Sequence, residues 1–243
     1  MTAQPLPQLA ETVLRPVRGH HAFEACVEQL ATAIRLGVHP NGSTLPSERE
    51  MAARLGVSRA TVREAITALR TAGMVETRRG RAGGSVVTYS PRRPMARSRG
   101  HSPEELSGWL DSLAFRRVVE PGAAATAAAM DLAQEHRNLL ELAHEGVRRA
   151  SGSATHRQAD SQFHLAFASV TGSALIIEAV TRVQSTLHDM LLQIPVYDVN
   201  IAHSNQQHEL LLRAVLEGHA DRARRVMEEH CDDTAALLRG LLG

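Results

Sequence analysis

The stretch from Ser47 to Gly73 leaves the backbone little conformational choice. Ser47 follows Pro46 and precedes Glu50 by three residues, a capping box in which each side chain satisfies a backbone donor of the other. The helix it opens is stopped by Gly56. Ser58 can cap a second helix, running to about residue 71 and stopped by Gly73. Two short helices joined by Gly56-Val57 have the spacing of a helix-turn-helix. Upstream, Phe23, Cys26, Val27, Leu30, Ala31 and Ile34 recur at helical spacing and predict a helix over about 21–36, closed by Gly37 and the turn Pro40-Asn41-Gly42. Downstream, two short β-type runs, 74–77 and 85–89, flank an Arg- and Gly-rich tip, which predicts a hairpin placed where a wing would sit.

The rest of the chain reads differently. Residues 1–19 hold three prolines and little pattern, and are expected to be a flexible tail. Residues 90–102 read as a basic linker. Beyond it, helices are expected over about 103–130 (with a break near Pro121-Gly122), 131–150, 155–171, 173–193, 203–217 and 220–241. The expected fold is mostly α: a winged helix-turn-helix of three helices and a hairpin over 20–89, then an all-helical bundle over 103–243. A composition of 43% hydrophobic and 3% aromatic residues favours Leu-, Val- and Ala-built helices over a sandwich or barrel.

Net charge is +1, but it is segregated. Residues 1–100 hold 15 Arg against 7 Glu, while residues 101–243 hold 12 Arg against 19 Asp and Glu. A basic head on an acidic body suggests that the head meets a polyanion. All 27 basic residues are Arg; genomic base composition explains that total, but not the segregation. No run approaches the ~18 consecutive apolar residues of a membrane span. Residues 1–20 carry Arg15 and Arg18 with no apolar run after them, so no signal peptide is expected. Cys26 and Cys231 form no framework and read as small buried hydrophobes in a reducing compartment. The expected location is cytoplasmic, on the nucleoid when bound to DNA.

The second helix of this helix-turn-helix has two faces. Val62, Ala65, Ile66 and Leu69 form the inner stripe, which leaves Arg59, Ala60, Thr61, Arg63 and Arg70 outward. Arg can pair with guanine or hold phosphate, and Thr can contact either. The plainer reading is a helical hairpin with a solvated Arg face; the basic hairpin and the charge split favour DNA. The run from Leu45 to Val75, LPSEREMAARLGVSRATVREAITALRTAGMV, resembles the winged helix of GntR-family regulators, and the likeness extends over 21–89. The resemblance implies DNA contacts by Arg49, by Ser58, Arg59, Thr61 and Arg63 in the recognition helix, and by Arg79 and Gly80 in the wing. Ala60 departs from the Thr common in that family.

The body holds many of the 13 histidines. Asp160 and His164 are four apart and share a helix face, while His208 and His230 lie on later helices. Three imidazoles and a carboxylate converging in a bundle could bind a divalent first-row metal; by spacing alone, a surface ion pair is the commoner meaning of Asp-x-x-x-His. The segment FRRVVEPGAAATAAA from Phe115, the Asp160–His164 motif and the stretch from His208 to His230 resemble the FCD-type C-terminal domain of the FadR subfamily, over about 105–241. The resemblance implies a Zn or Ni ion on Asp160, His164, His208 and His230, and Arg116 facing an effector carboxylate. An ion pair of Arg116 with Glu120 is the alternative for that arginine. Thr171-Gly172-Ser173 stands where the family usually has Asn. Phe163 and Phe167 are expected in the core, and Cys231, about 100° round the helix from His230, away from the metal.

Together these features predict a homodimeric transcription regulator, not an enzyme. Double-stranded operator DNA is bound at the head. A small carboxylate effector, a sugar acid or hydroxy acid, is bound in the body, making the chain a repressor or an activator under its control. The alternatives are a regulator that senses the metal itself, a structural metal, or a metal-dependent enzyme that activates water.

Overall fold

The computed structural model describes residues 7–14, 16, 22–78, 84–90, 102–195 and 197–242. The chain divides into two units, Met1–Pro91 and Arg92–Gly243.

In the first unit, α1 (Pro7–Val13) precedes α2 (Ala22–Arg35), α3 (Glu48–Leu55), α4 (Arg59–Thr71), β1 (Val75–Arg78) and β2 (Gly84–Val87). The expected caps form. Ser47 and Glu50 make a reciprocal capping box, and Ser58 accepts from the Thr61 amide at the start of α4. Gly56 turns the chain between the two helices at φ 66, a left-handed conformation that a side chain would strain. The inner face of α4, with Val62, Ala65, Ile66 and Leu69, is buried, as are Cys26, Leu30, Ala33 and Ile34 of α2, which packs against it. β1 and β2 pair antiparallel with Val75 opposite Val87, and Thr44 bridges to Val86 on the other edge of β2. The strands begin one residue away from their expected positions. One expectation is corrected: part of the supposed tail is helical. Pro7–Val13 forms α1, with Leu9, Val13 and Leu14 buried, because those apolar side chains find a surface on α2. Most of the linker and the wing tip, with Arg79 and Gly80, lie outside the described residues.

The second unit contains α5 (Pro103–Ala128), α6 (Gln134–Arg149), α7 (Ser153–Val170), α8 (Ala174–Gln193), α9 (Asp198–Leu216) and α10 (Ala220–Leu242). Helix α5 is its centre and packs against α7, α8, α9 and α10. It opens with a capping box, Ser102 with Glu105, and Pro103 at its first position. The break expected at Pro121-Gly122 does not occur. A proline inside a helix costs about 3 kcal/mol, and here burial of Pro121 together with Ala123, Ala124, Ala125, Ala127 and Ala128 between neighbouring helices outweighs it. Helix α9 begins at Asp198, earlier than its apolar pattern suggested. Leu113, Leu187, Met190, Ile194, Ala235 and Leu238 form an apolar core between α5, α8 and α10. Among the described residues, no helix is long and apolar enough to cross a membrane.

Candidate functional site

In the first unit, the expected DNA-facing residues sit around the N-terminal ends of α3 and α4. Arg49, Ser58, Arg59 and Arg63 are exposed and Thr61 is half-buried. They differ in how free they are. The Ser58 hydroxyl is used twice within its own turn, 3.0 Å from the Thr61 amide and 2.9 Å from the Thr61 hydroxyl. Arg63 makes a two-pronged ion pair with Glu48, with Nη2 to Oε2 at 2.8 Å and Nε to Oε1 at 3.2 Å. This pair links α4 to the start of α3. Arg70 donates to Thr77 of β1, tying the recognition helix to the hairpin.

In the second unit, α7, α9 and α10 bring His164, His208 and His230 together. One ring nitrogen from each lies within 4.8 Å of the others, and all three residues are buried. Asp160, one turn before His164, places its oxygens 3.5 Å from His208 Nε2 and 3.9 Å from His164 Nε2. The four residues singled out from the sequence thus share one site. Tetrahedral zinc ligands at about 2.1 Å stand about 3.4 Å apart, so a modest contraction brings this donor set onto an ion. The chemistry of the set also suits a metal. Burial, reinforced by neighbouring histidines and Arg116, pushes His208 and His230 well below the usual histidine range, so both present neutral imidazoles. Phe163, fully buried, closes the back of the site with its ring 4.5 Å from that of His208 and 4.8 Å from Phe167. Cys26 and Cys231 are free and buried.

Beside this cluster lies a cavity of about 120 Å³ lined by Arg116, Asp160, His230, Tyr197, Asn200 and Ser204, among others. Arg116 is 1% exposed. Its Nε donates to Glu120 Oε2 at 3.0 Å, while Nη1 and Nη2 have no hydrogen-bond partner among the described residues. Arg116 therefore both pairs with Glu120 and lines the cavity. Glu120, also 1% exposed, accepts from Gln184 Nε2 at 2.6 Å through Oε1, and its Oε2 lies 2.9 Å from His164 Nδ1. Burial alone would raise its carboxyl; Arg116 and then His164 overcome that and hold it below the usual carboxylate range. Gln207 donates to Asp233 at 2.7 Å and offers its carbonyl to His230 Nδ1 at 3.0 Å.

Sequence reasoning missed Gln184, Gln207, Asn200 and Ser204 as parts of this site. A signal existed for α9: Asn200, Ser204 and Gln207 form a polar stripe at helical spacing beside His208. Gln184 had none, because a lone glutamine in a helix is ordinarily solvated.

The family description "Bacterial regulatory proteins, gntR family" matches residues 23–84, and "FCD domain" matches residues 111–233. The chain is 32% identical over 220 residues to the "Putative HTH-type transcriptional regulator RmpR" of Mycobacterium gastri, covering 85% of this chain and 76% of that protein. It is 28% identical over 202 residues to the "Putative L-lactate dehydrogenase operon regulatory protein" of Escherichia coli, covering 78% and 75%. The solved structure of E. coli McbR/YncC shares the fold, with a TM-score of 0.55 at 17% identity over 91% of this chain and 99% of that one. The matched domains and relatives are transcription regulators rather than enzymes, as the sequence led us to expect. The chain belongs to the GntR family and is a DNA-binding transcription regulator with a winged helix-turn-helix head and an FCD-domain body.

Proposed function

We propose that this regulator works as a homodimer, as a repressor or an activator under effector control. Its two heads read the half-sites of a pseudo-palindromic operator, and a small organic acid bound beside a divalent ion in the body controls their affinity. Arg49, Ser58, Arg59, Thr61 and Arg63, with Arg79 and Gly80 of the wing, make the DNA contacts. Asp160, His164, His208 and His230 would hold Zn or Ni, which supplies a Lewis acid for a carboxylate oxygen when bound.

The observation that carries this reading is Arg116. A buried guanidinium with two unpartnered nitrogens is costly, and both nitrogens belong to a side chain lining the cavity. A carboxylate satisfies two such donors in one planar pairing. The cavity, about 120 Å³, is well below the ~300 Å³ at which drug-sized pockets begin, which favours a compact acid. Tyr197, Asn200 and Ser204 offer hydrogen bonds to hydroxyl groups, which supports a hydroxy or sugar acid. A relative named for an L-lactate dehydrogenase operon supports the same class. The acid acts by binding one arrangement of the dimer better than the other.

The test is the melting temperature of the full-length protein, stripped or loaded with Zn²⁺ or Ni²⁺, across a panel of small carboxylates. A ligand of the native state raises it by mass action. A rise for one class of acid that requires the metal, and is lost in His164→Ala and Arg116→Ala, is expected. A second reading, a regulator of the metal alone, is favoured by the three histidines and the carboxylate supplying four donors unaided. It predicts metal-dependent operator affinity and no response to any acid. No shift with either metal or acid sinks both.

A further inference from the structure

The carboxylate of Glu120 is more than a counterion needs to be. An arginine paired with a glutamate one turn away normally sits in solvent, where the pair contributes little. Here both partners are 1% exposed, and polar groups of four helices close on the carboxylate. Arg116 of α5 approaches Oε2 at 3.0 Å, His164 of α7 places Nδ1 2.9 Å from the same oxygen, Gln184 of α8 donates to Oε1 at 2.6 Å, and the Cys231 thiol of α10 lies 3.7 Å from Oε2. Resting on the proposed metal and acid site, we infer that Glu120 is its positioning residue: it holds the His164 ring by Nδ1 and turns Nε2 towards Asp160, and so ties the metal ligand to the arginine that meets the acid.

The logic is one of donors and acceptors. An ionised carboxylate only accepts hydrogen bonds. Of the two ring nitrogens of His164, Nδ1 is therefore the one that turns an N–H to Glu120, which leaves Nε2 as the atom free to meet a metal. Nε2 is the atom facing Asp160 Oδ2, at 3.9 Å. The same argument applies independently to His230. Gln207 donates through Nε2 to Asp233, which fixes the orientation of its amide, so its carbonyl faces His230 Nδ1 and accepts a hydrogen bond from the N–H there. Both rings are thus held in the tautomer a metal requires, by acceptors outside the cluster. Glu120 differs from Gln207 in carrying charge and in touching Arg116. A carboxylate drawing on Arg116 and His164 together links their fates: an acid that engages Arg116 changes what Glu120 offers His164.

Two measurements test this on the full-length protein. The first is Zn²⁺ affinity, by competition with a chromophoric chelator, of the unaltered chain, Glu120→Gln and His208→Ala. Glu120→Gln keeps the shape of the side chain and removes its charge, and it is expected to weaken Zn²⁺ about tenfold, as loss of an outer partner of a metal ligand does. Affinity within about twofold of the unaltered chain, with binding abolished in His208→Ala, overturns the role of Glu120 while leaving the metal site standing. Equal, negligible binding by all three proteins overturns both. The second measurement needs no variant. In metal-free protein labelled with ¹⁵N-histidine, the His164 resonances, identified by comparison with His164→Asn, are expected to show a proton on Nδ1. A ring protonated on Nε2 alone overturns the proposal.

Discussion

The two halves of this regulator use arginine in opposite ways. In the head, Arg49, Arg59 and Arg63 stand in solvent on the ends of capped helices, and their position is set by the backbone beneath them. In the body, Arg116 is enclosed and held by a carboxylate that is itself held by α7 and α8. An exposed charge costs little to keep and waits for a partner. An enclosed one must be balanced from within, so its surroundings are built around it. Substitutions in the head should therefore act on binding, and those around Arg116 on folding as well.

The largest expected effect tests that contrast directly. Arg116→Ala leaves Glu120 enclosed and charged, and is expected to cost about 3–5 kcal/mol of unfolding free energy in a urea titration. A loss below about 1 kcal/mol would show that the cluster is wetter than its burial suggests, and would dissolve the contrast. Among the described residues of the head, His39 is enclosed and titrates in an accessible range, which sharpens the contrast. Burial, then Arg54, lowers His39 to about 4. The unfolded chain takes up this proton near pH 6.5 and the folded chain near pH 4, so the contribution is complete above about 6.5 and is lost as pH falls towards about 4, by about 3 kcal/mol. In urea titrations at several pH values, His39→Asn should flatten this part of the slope; an unchanged slope assigns it elsewhere.

Next comes binding. Arg59→Ala is expected to weaken a duplex selected from random sequence by about 10- to 100-fold in fluorescence anisotropy, with unfolding free energy unchanged within about 0.5 kcal/mol. Unaltered affinity would displace the recognition face from the start of α4. The smallest effect concerns Glu48, which occupies Arg63. Glu48→Gln should free Arg63 and tighten DNA about two- to threefold, since an exposed pair is weak. Weaker binding would mean instead that the pair aims Arg63 at its contact.

The same contrast explains what was legible in the sequence. The head could be read almost residue by residue, because Ser47, Glu50, Gly56 and Ser58 act on atoms a few positions away. Helix α1 escaped notice because its burial depends on Leu9 reaching α2, a contact with no local mark. Pro121 misled for the same reason: a local rule against proline met a helix enclosed by its neighbours. In the body, spacing joined Asp160 to His164 but could not join either to His208 or His230, which arrive from other helices; family resemblance supplied that link. Gln184 carries no mark at all, since its role comes wholly from what lies opposite it.

The balance around Arg116 also bears on which acid the cavity will accept. Arg116, Glu120 and Asp160 carry one positive and two negative formal charges in a space that largely excludes water. On the proposed reading, a divalent ion turns that deficit of one into an excess of one, and a single carboxylate then brings the interior to electroneutrality. An acid arriving before the ion meets a negative enclosure, and a dicarboxylate overshoots. On that reading, the charge of Arg116, Glu120 and Asp160 favours an order, ion first and acid second, and a monoanion over a dianion as the second guest.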